Sequence, residues 1–314
     1  MSDTGKKKDG EDDSGWCDSV ACSVDSVTVR LAAYYSLYMT DTLLDLDLSP
    51  DTLCSGWMCV ILLLSFFPFR RDARDLPTVV SKVMAYVALY LMVDHYLDSP
   101  DITVSEKKDI LEWLGNPLPS EDAQVPSGSE NARKSKILHL VDELDGRSEA
   151  SMLAKMVTDS YHAQINSRSS GKEYLRACAD KGGITVVVGV RLTIGKLKGV
   201  REKDLYRLGY CIQLLDDLVD CSDDRRNGIN TACTWCLRER GNVDEMVWRL
   251  LYESTRLPKT LRYHSLGIRC VAVRVCSRTG NVSPVLRSVL GIGEGKMREE
   301  CLRLRLERAL RRAI

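Results

Sequence analysis

The sequence predicts an all-α protein folded as a single helical bundle. Apolar residues recur at helical spacing along most of the chain, whereas the alternating pattern typical of β-strands is scarce. No internal repeat of fixed period is present. With 314 residues, 44% of them hydrophobic and 28% charged, the chain has an ordinary globular composition and can bury a sizeable core.

The predicted helices follow one another with turn signals between them. They cover residues 26–44, 52–67, 77–98, 105–114, 134–145, 149–166, 172–198, 203–222 and 242–256. The best β-like run, GITVVVGV at 183–190, lies inside a longer segment that is apolar all round, so we assign it to a buried helix. Residues 116–135 contain prolines, serines and glycine and are predicted to form a solvated loop.

The helical domain is expected to span residues 25–292. Residues 1–24 are predicted to be a disordered tail, because their first half is polar and lacks the apolar segment of a signal peptide. Residues 293–314 are predicted to form a basic helix with leucines on one face. Docking on the bundle, closing over an anionic ligand and lying on a membrane surface are three open interpretations of this helix.

Charge and cysteine content indicate a cytoplasmic protein. The 44 basic and 44 acidic residues create no global field that would favour nucleic acid. The twelve cysteines follow no disulfide framework, and the single CxxC, Cys233 to Cys236, has no second pair, so we interpret them as reduced thiols. The apolar run 57–69 is shorter than the roughly 20 residues of a membrane span and contains a proline. It is therefore predicted to be a buried core helix, and no transmembrane segment is expected.

The segment CIQLLDDLVDCSDD, residues 211–224, places five aspartates within nine residues. On a helix they share one flank with Gln213. Exposed carboxylates at helical spacing repel one another by roughly 0.2–0.5 kcal/mol per pair, and no lysine or arginine interrupts them between Arg207 and Arg225. A solvated acidic face is one interpretation, and a cation-binding face is the other.

A second acidic position favours the cation-binding face. Residues 83–97, VMAYVALYLMVDHYL, are apolar on every side and contain one carboxylate, Asp94, with Asp98 one turn later. An ionised carboxylate in such a helix must be paired or bound to a metal, and the helix offers no lysine or arginine. Two carboxylate sets on central helices predict a site for a hard cation such as Mg²⁺. Four cations precede the second set and could face a bound diphosphate: Arg168, Lys172, Arg176 and Lys181.

Three motifs resemble those of the class I isoprenoid synthases over roughly residues 50–240. DHYLD at 94–98 looks like the first aspartate-rich motif, and KEYLRACADKGG at 172–183 is similar to the segment whose lysine binds diphosphate. GYCIQLLDDLVD at 209–220 closely resembles the second aspartate-rich helix. The resemblance implies an α-helical bundle with a central cavity, in which Mg²⁺ ions, or Mn²⁺, ionise a prenyl diphosphate. A homodimer would be usual for this superfamily.

The resemblance also assigns roles to individual residues. It implies three Mg²⁺ ions, with catalytic functions for Asp94, Asp98, Asp216 and Asp220. The metal ligands that it implies are Asp94, Asp98, Asp216, Asp217, Asp220 and Asp224. The diphosphate-binding residues that it implies are Arg168, Arg176, Lys181, Arg225 and Arg226. Five tyrosines could present ring faces to a carbocation: Tyr34, Tyr35, Tyr38, Tyr86 and Tyr90.

The reaction type depends on whether a second diphosphate binds. Chain-elongating members have a Gly-Lys-Arg segment upstream of the first motif, where this chain has Gly56 followed by tryptophan and methionine. Asp216, Asp220 and Asp224 have the i, i+4, i+8 spacing of the cyclases' metal triad, and Arg262-Tyr263 resembles their late arginine-tyrosine pair. The resemblance favours a class I terpene synthase acting on farnesyl or geranylgeranyl diphosphate. An isoprenyl diphosphate synthase and a noncatalytic regulatory homologue are the alternatives.

Overall fold

The structure is a computed structural model that describes residues 31, 34–39, 42, 50–71, 75–98, 102–115, 129–145, 147–165 and 169–290. Within these ranges the protein is all-α, as predicted, and the only β-type pairing is an isolated bridge between Arg70 and Leu197. The predicted tail, 1–24, and the predicted basic helix, 293–314, lie outside the described residues.

Eleven α-helices can be bounded in the described ranges. They are α1 (Pro50–Leu64), α2 (Leu76–Asp98), α3 (Val104–Gly115), α4 (Ser129–Glu143), α5 (Arg147–Ile165), α6 (Gly171–Thr193), α7 (Glu202–Arg226), α8 (Ala232–Arg240), α9 (Asp244–Thr255), α10 (Arg262–Arg278) and α11 (Pro284–Val289). Short 3₁₀ turns follow α1 at Phe67–Phe69 and precede α10 at Lys259–Leu261.

The predicted and observed helices differ mainly at their ends. Helix α6 ends at Thr193 and not near 198, because Gly195 takes a left-handed conformation with φ +86° that ends the helix. Helix α4 begins at Ser129, inside the predicted loop. Helices α8, α10 and α11 were not predicted. The first and last are too short for periodicity to reveal, and α10 interrupts its apolar pattern with arginines.

The β-like run in α6 is helical, as predicted. Its five residues from Val186 to Val190 are all buried, so the helix is apolar all round at this level. The hydroxyl of Thr185 donates to the carbonyl of Lys181, and that of Thr193 donates to the carbonyl of Gly189. These bonds satisfy two polar groups inside the bundle without leaving the helix.

Helices α6 and α7 form the most extensive helix pair of the described bundle, and glycines set the distance between them. A Cβ atom at Gly182 would come within 2.2 Å of the carbonyl oxygen of Gly209, and one at Gly209 within 2.0 Å of the carbonyl oxygen of Gly182. Gly183 similarly receives the ring of Tyr206, whose hydroxyl donates to Asp180 at 2.6 Å. The two backbones therefore touch where they cross.

Helix α2 is the central helix of the described bundle. Seven successive residues from Val83 to Leu89 are buried, and the hydroxyl of Tyr86 donates to the carbonyl of Thr185 on α6 at 2.6 Å. Helices α1 and α4 pack on its other sides. This burial confirms that 77–98 is a core helix.

The apolar run 57–69, predicted to be a buried core helix, is buried on one side only. Val60, Leu63 and Phe66 face the core, whereas Met58 is 60% exposed and Ile61 is 44% exposed. By length and composition alone, Thr52–Phe69 and Leu76–Leu97 could each cross a membrane. The second is 61% buried within the bundle, and the first only 22%.

We expect Gly209→Ala to lower the free energy of unfolding by about 1–3 kcal/mol, because the added methyl group must separate two backbones that are already in contact. Gly267→Ala is the matched control, since Gly267 lies within α10 with no atom near the position of an added Cβ. It should be neutral or stabilising by up to about 1 kcal/mol. Urea unfolding monitored by circular dichroism measures both. Equal effects of the two changes would refute the close crossing.

Candidate functional site

Three helices bring acidic and basic side chains together in one place, which we call the acidic cleft and define by Asp94, Lys181, Asp216 and Asp220. The ammonium nitrogen of Lys181 on α6 lies 3.2 Å from Oδ1 of Asp94 on α2. Both residues act electrostatically on Asp216 of α7, so all three lie close together. Residues from distant parts of the sequence therefore converge.

The close crossing of α6 and α7 places these groups. Lys181 directly precedes the contact glycine Gly182, and Gln213 of α7 packs against the same glycine. Asp94 lies near the end of α2, in the partly exposed stretch 93–95 between buried residues on either side. The side chain of Lys181 is 15% exposed and that of Asp94 is 33% exposed, so water reaches the ion pair.

The environment of Asp216 disfavours its negative charge. Loss of hydration raises its pKa to about 6, and repulsion by Asp220 and Asp94 adds to the rise, although Lys181 opposes it. Asp216 is nevertheless accessible to solvent. A raised pKa and access to solvent are compatible for a side chain on the wall of a concave cleft, because protein surrounds the side chain on most sides while water still reaches it. A further cation here would offset the repulsion.

Asp217 points into the protein and not into the open part of the cleft. Its Oδ1 accepts a hydrogen bond from Nε2 of Gln213 at 3.0 Å, and the same amide nitrogen lies 3.2 Å from Oδ2 of Asp216. Burial raises the pKa of Asp217 to about 6, partly offset by hydrogen bonds from Gln213 and Cys178. Asp217 also lines a small pocket with Tyr174 and Thr231. Its position suits a structural role beside the cleft.

The other acidic residues of the two motifs are Asp220 at the edge of the cleft, Asp223 and Asp224 further along α7, and Asp98, whose side chain is not described. Asp220 is exposed, and loss of hydration together with Asp217 and Asp223 raises its pKa. Asp224 is half-buried one turn later. Asp223 is bound to Arg226 at 3.0 Å. The side chain of Asp98 lies outside the described residues, although its backbone belongs to α2.

Of the predicted diphosphate-binding cations that the structure describes, Lys181 is the one placed beside the carboxylates of the cleft. Arg176 is 85% exposed and pairs with Asp180 at 3.6 Å on the same helix. Arg225 and Arg226 are exposed at the end of α7. Arg168 lies outside the described residues. Lys172, also considered as a ligand of the diphosphate, is exposed in the first turn of α6.

The predicted tyrosines have different surroundings. The hydroxyl groups of three of them donate to groups outside the acidic cleft: Tyr35 to the carbonyl of Leu53, Tyr38 to the carboxylate of Glu143 and Tyr86 to the carbonyl of Thr185. Tyr34 is 42% exposed and packs beside Tyr38.

Tyr90 is the tyrosine that borders the cleft. It is half-buried, and loss of hydration followed by repulsion from Asp94 raises its pKa. Cys59 of α1 also borders Asp216 and Asp94, and its burial raises the pKa of its thiol to about 12. Periodicity in the sequence could not place Cys59 beside the cleft, because its position depends on how α1 packs against α2 and α6.

The carboxylates fit Mg²⁺ only in part. Among the described side chains, no group of three histidine, cysteine, aspartate or glutamate residues is arranged to hold a metal ion by itself. Magnesium, however, commonly uses only one or two carboxylates and completes its shell with water and substrate phosphates. Oxygen donors from Asp94, Asp216 and Asp220, all of which solvent can reach, fit that mode of binding. An all-protein cage does not fit.

Comparison of the chain with protein-family models and with curated proteins finds no match. Function is therefore inferred from the acidic cleft itself.

We expect Asp217→Asn to stabilise the protein at pH 7.5 by an amount on the order of 1–3 kcal/mol. The folded state raises the pKa of Asp217 from 3.8 to about 6, so the stability associated with its protonated form is lost as the pH rises through that range. The difference between variant and wild type should fall as the pH drops below 6 and vanish below about pH 3, where the carboxyl is protonated in both the folded and unfolded states. Chemical unfolding across this pH range measures it.

Asp223→Asn serves as the control for this prediction, because Asp223 lies on the same helix but is exposed. It should change the free energy of unfolding at pH 7.5 by no more than about 0.5 kcal/mol. An Asp217→Asn variant that is less stable than wild type at pH 7.5 would show that the buried negative charge is favoured in the fold.

Proposed function

We propose that the protein is a Mg²⁺-dependent class I terpene synthase that ionises farnesyl or geranylgeranyl diphosphate and cyclises or rearranges the chain. The observation that carries this proposal is the convergence of Asp94, Lys181 and Asp216 from three helices in a cleft that water can enter. Carboxylates that share one cation beside an apolar core suit a substrate with a diphosphate head and a hydrocarbon tail.

The residues of the cleft divide into binding and stabilising groups. Asp94, Asp216 and Asp220 would hold Mg²⁺, which when bound stabilises negative charge on the departing diphosphate. Lys181 would bind a diphosphate oxygen in exchange for its present contact with Asp94. The carbon–oxygen bond of the allylic diphosphate then breaks, and the diphosphate leaves with the electron pair.

The apolar side of the cleft would govern the hydrocarbon chain. The ring of Tyr90 borders the carboxylates and can stabilise positive charge through its π face. Buried residues of α2 next to Tyr90 exclude water, which would otherwise capture the cation before the chain rearranges. The reaction ends when the cation loses a proton or accepts water.

The described part of α1 offers no cationic site for a second diphosphate. Gly56 lies against Tyr35 and Leu91, whose side-chain atoms would come within 2.3 Å and 2.7 Å of an added Cβ atom. The helix carries no lysine or arginine around this glycine. An isoprenyl diphosphate synthase would need a second cationic subsite, so we rank elongation below cyclisation.

One observation favours a noncatalytic homologue as a second candidate. Lys181 already neutralises Asp94, and this contact leaves fewer free carboxylate oxygens for metal ions. A regulatory homologue could keep the diphosphate-binding lysine without ionising the substrate. In either case the small-molecule partner is a prenyl diphosphate, the protein is expected in the cytoplasm, and a homodimer stays a prediction.

The reaction can be tested by incubating the full chain with Mg²⁺ and farnesyl or geranylgeranyl diphosphate. Part of each reaction also receives isopentenyl diphosphate. Hydrocarbon or terpene alcohol formed from the single substrate supports the terpene synthase. Longer diphosphates formed only with isopentenyl diphosphate would instead identify an elongating enzyme. No product from a folded protein that still binds the substrate would identify the noncatalytic homologue.

We expect Asp94→Ala and Asp216→Ala each to reduce kcat/KM by about 10²–10³ or more, as is usual when a group that stabilises transition-state charge is removed. Helical content should stay close to that of the wild type. Asp223→Ala is the matched control, because Asp223 lies on α7 but pairs with Arg226 at the surface. Wild-type turnover in both cleft variants would disprove the site assignment.

A further inference from the structure

Three segments meet at one end of the bundle. They are the chain that follows α1, the chain between α6 and α7, and the chain that precedes α10. The backbone N–H of Arg71 donates to the carbonyl of Lys196 at 2.8 Å, and that of Lys198 donates to the carbonyl of Phe69 at 2.6 Å. The hydroxyl of Thr260 reaches the carbonyl of Gly199 at 3.4 Å. The relative positions of these segments are therefore fixed by hydrogen bonds.

The segments gather cations from distant parts of the sequence. We call this surface the basic end and define it by Arg70, Arg71, Lys196, Lys198, Lys203, Lys259 and Arg262. All of them except the half-buried Arg70 are exposed. The nearby acids Glu202 and Asp204 are neutralised by Arg191 and Arg201. Seven cationic side chains are thus gathered at the basic end, with Asp75 a further exposed acid four residues after Arg71, although the whole chain has a formal net charge of +0.

Apolar groups project among these cations. Pro68 is exposed between two half-buried phenylalanines, and the guanidinium of Arg70 lies 3.6 Å from the ring centroid of Phe67. The guanidinium of Arg262 similarly lies 4.7 Å from the ring centroid of Tyr263, which is 40% exposed. Ile61 and Met58 are also exposed on α1, three and six residues before the helix ends at Leu64, or about 5 and 9 Å along its axis.

The basic end lies away from the acidic cleft. Lys181 precedes the end of α6 by twelve residues and Asp216 follows the start of α7 by fourteen. At 1.5 Å per residue, these positions are about 18–21 Å from the basic end along the helices. The Arg262-Tyr263 pair belongs to this end and not to the cleft.

We propose that the basic end docks the protein on an anionic lipid bilayer. Cations attract the negatively charged lipid headgroups, and aromatic or aliphatic side chains among them can enter the headgroup layer. The exposed apolar groups favour a bilayer over nucleic acid, whose phosphate backbone needs the cations but not Met58, Ile61 or Pro68. This inference does not depend on the proposed terpene synthase activity, because it uses no residue of the cleft.

Flotation of the full chain with lipid vesicles tests the proposal. The protein should bind vesicles of phosphatidylcholine with about one third phosphatidylserine, bind pure phosphatidylcholine much more weakly, and dissociate as salt is added. Each cation near an anionic surface contributes about fivefold to binding. Reversing two charges with Lys198→Glu and Lys259→Glu should therefore weaken binding by about 10²-fold or more.

The matched control reverses two exposed arginines on the same helix that begins at Arg262. Arg274→Glu with Arg278→Glu changes the net charge equally but acts at least twelve residues from Arg262, or about 18 Å along α10. This variant should keep most of the vesicle binding. A second variant, Met58→Ser with Ile61→Ser, should weaken binding to the anionic vesicles at low salt without changing how steeply that binding falls as salt is added.

Four outcomes would overturn the proposal. They are equal binding to neutral and anionic vesicles, no binding to either, equal losses in the two charge-reversal variants, and tighter binding of single-stranded RNA than of anionic vesicles in the same salt. Circular dichroism of each variant confirms that it is folded before its binding is measured. Because turnover is assayed without vesicles, failure of this proposal and failure of the enzymatic one are distinguishable.

Discussion

The contact between the backbones of α6 and α7 at Gly182 and Gly209 is the constraint on which the acidic cleft depends. Only glycine permits this approach, because a Cβ atom on either residue would overlap the carbonyl oxygen of the other. Lys181 and Gln213 flank the contact, so their side chains face Asp94, Asp216 and Asp217 at short range. The packing of two helices thus fixes the electrostatics of the site.

The cleft concentrates negative charge at a cost to the fold. Loss of hydration raises the pKa of both Asp216 and Asp217, and neighbouring carboxylates add to the rise. Lys181 and the amide of Gln213 offset part of this repulsion but serve several carboxylates at once. A site that keeps such charge next to an apolar core is suited to bind a cation and the anion that accompanies it.

The described bundle separates charge along its length. The acidic cleft lies near the middle of α6 and α7, whereas the basic end lies where α6 ends and α7 begins. The equal numbers of basic and acidic residues conceal this separation, since a sum over the chain has no spatial information. Charge-driven functions of the protein are therefore local, and the two regions can act on different ligands.

The sequence by itself determined the all-α class, the central helix α2 and the acidic helix α7, because apolar periodicity over long segments has one low-energy solution. It also identified Asp94 as a carboxylate that needs a partner and Lys181 as a candidate ligand of a diphosphate. It could not show that they pair with each other, that Asp217 faces inward, or that Cys59 and Tyr90 border the cleft. Those facts depend on how helices cross, and helix crossing depends on contacts between residues far apart in the sequence. The sequence could not reveal the basic end either, because its loops lie together only where α1 and α6 end and α10 begins at one level of the bundle.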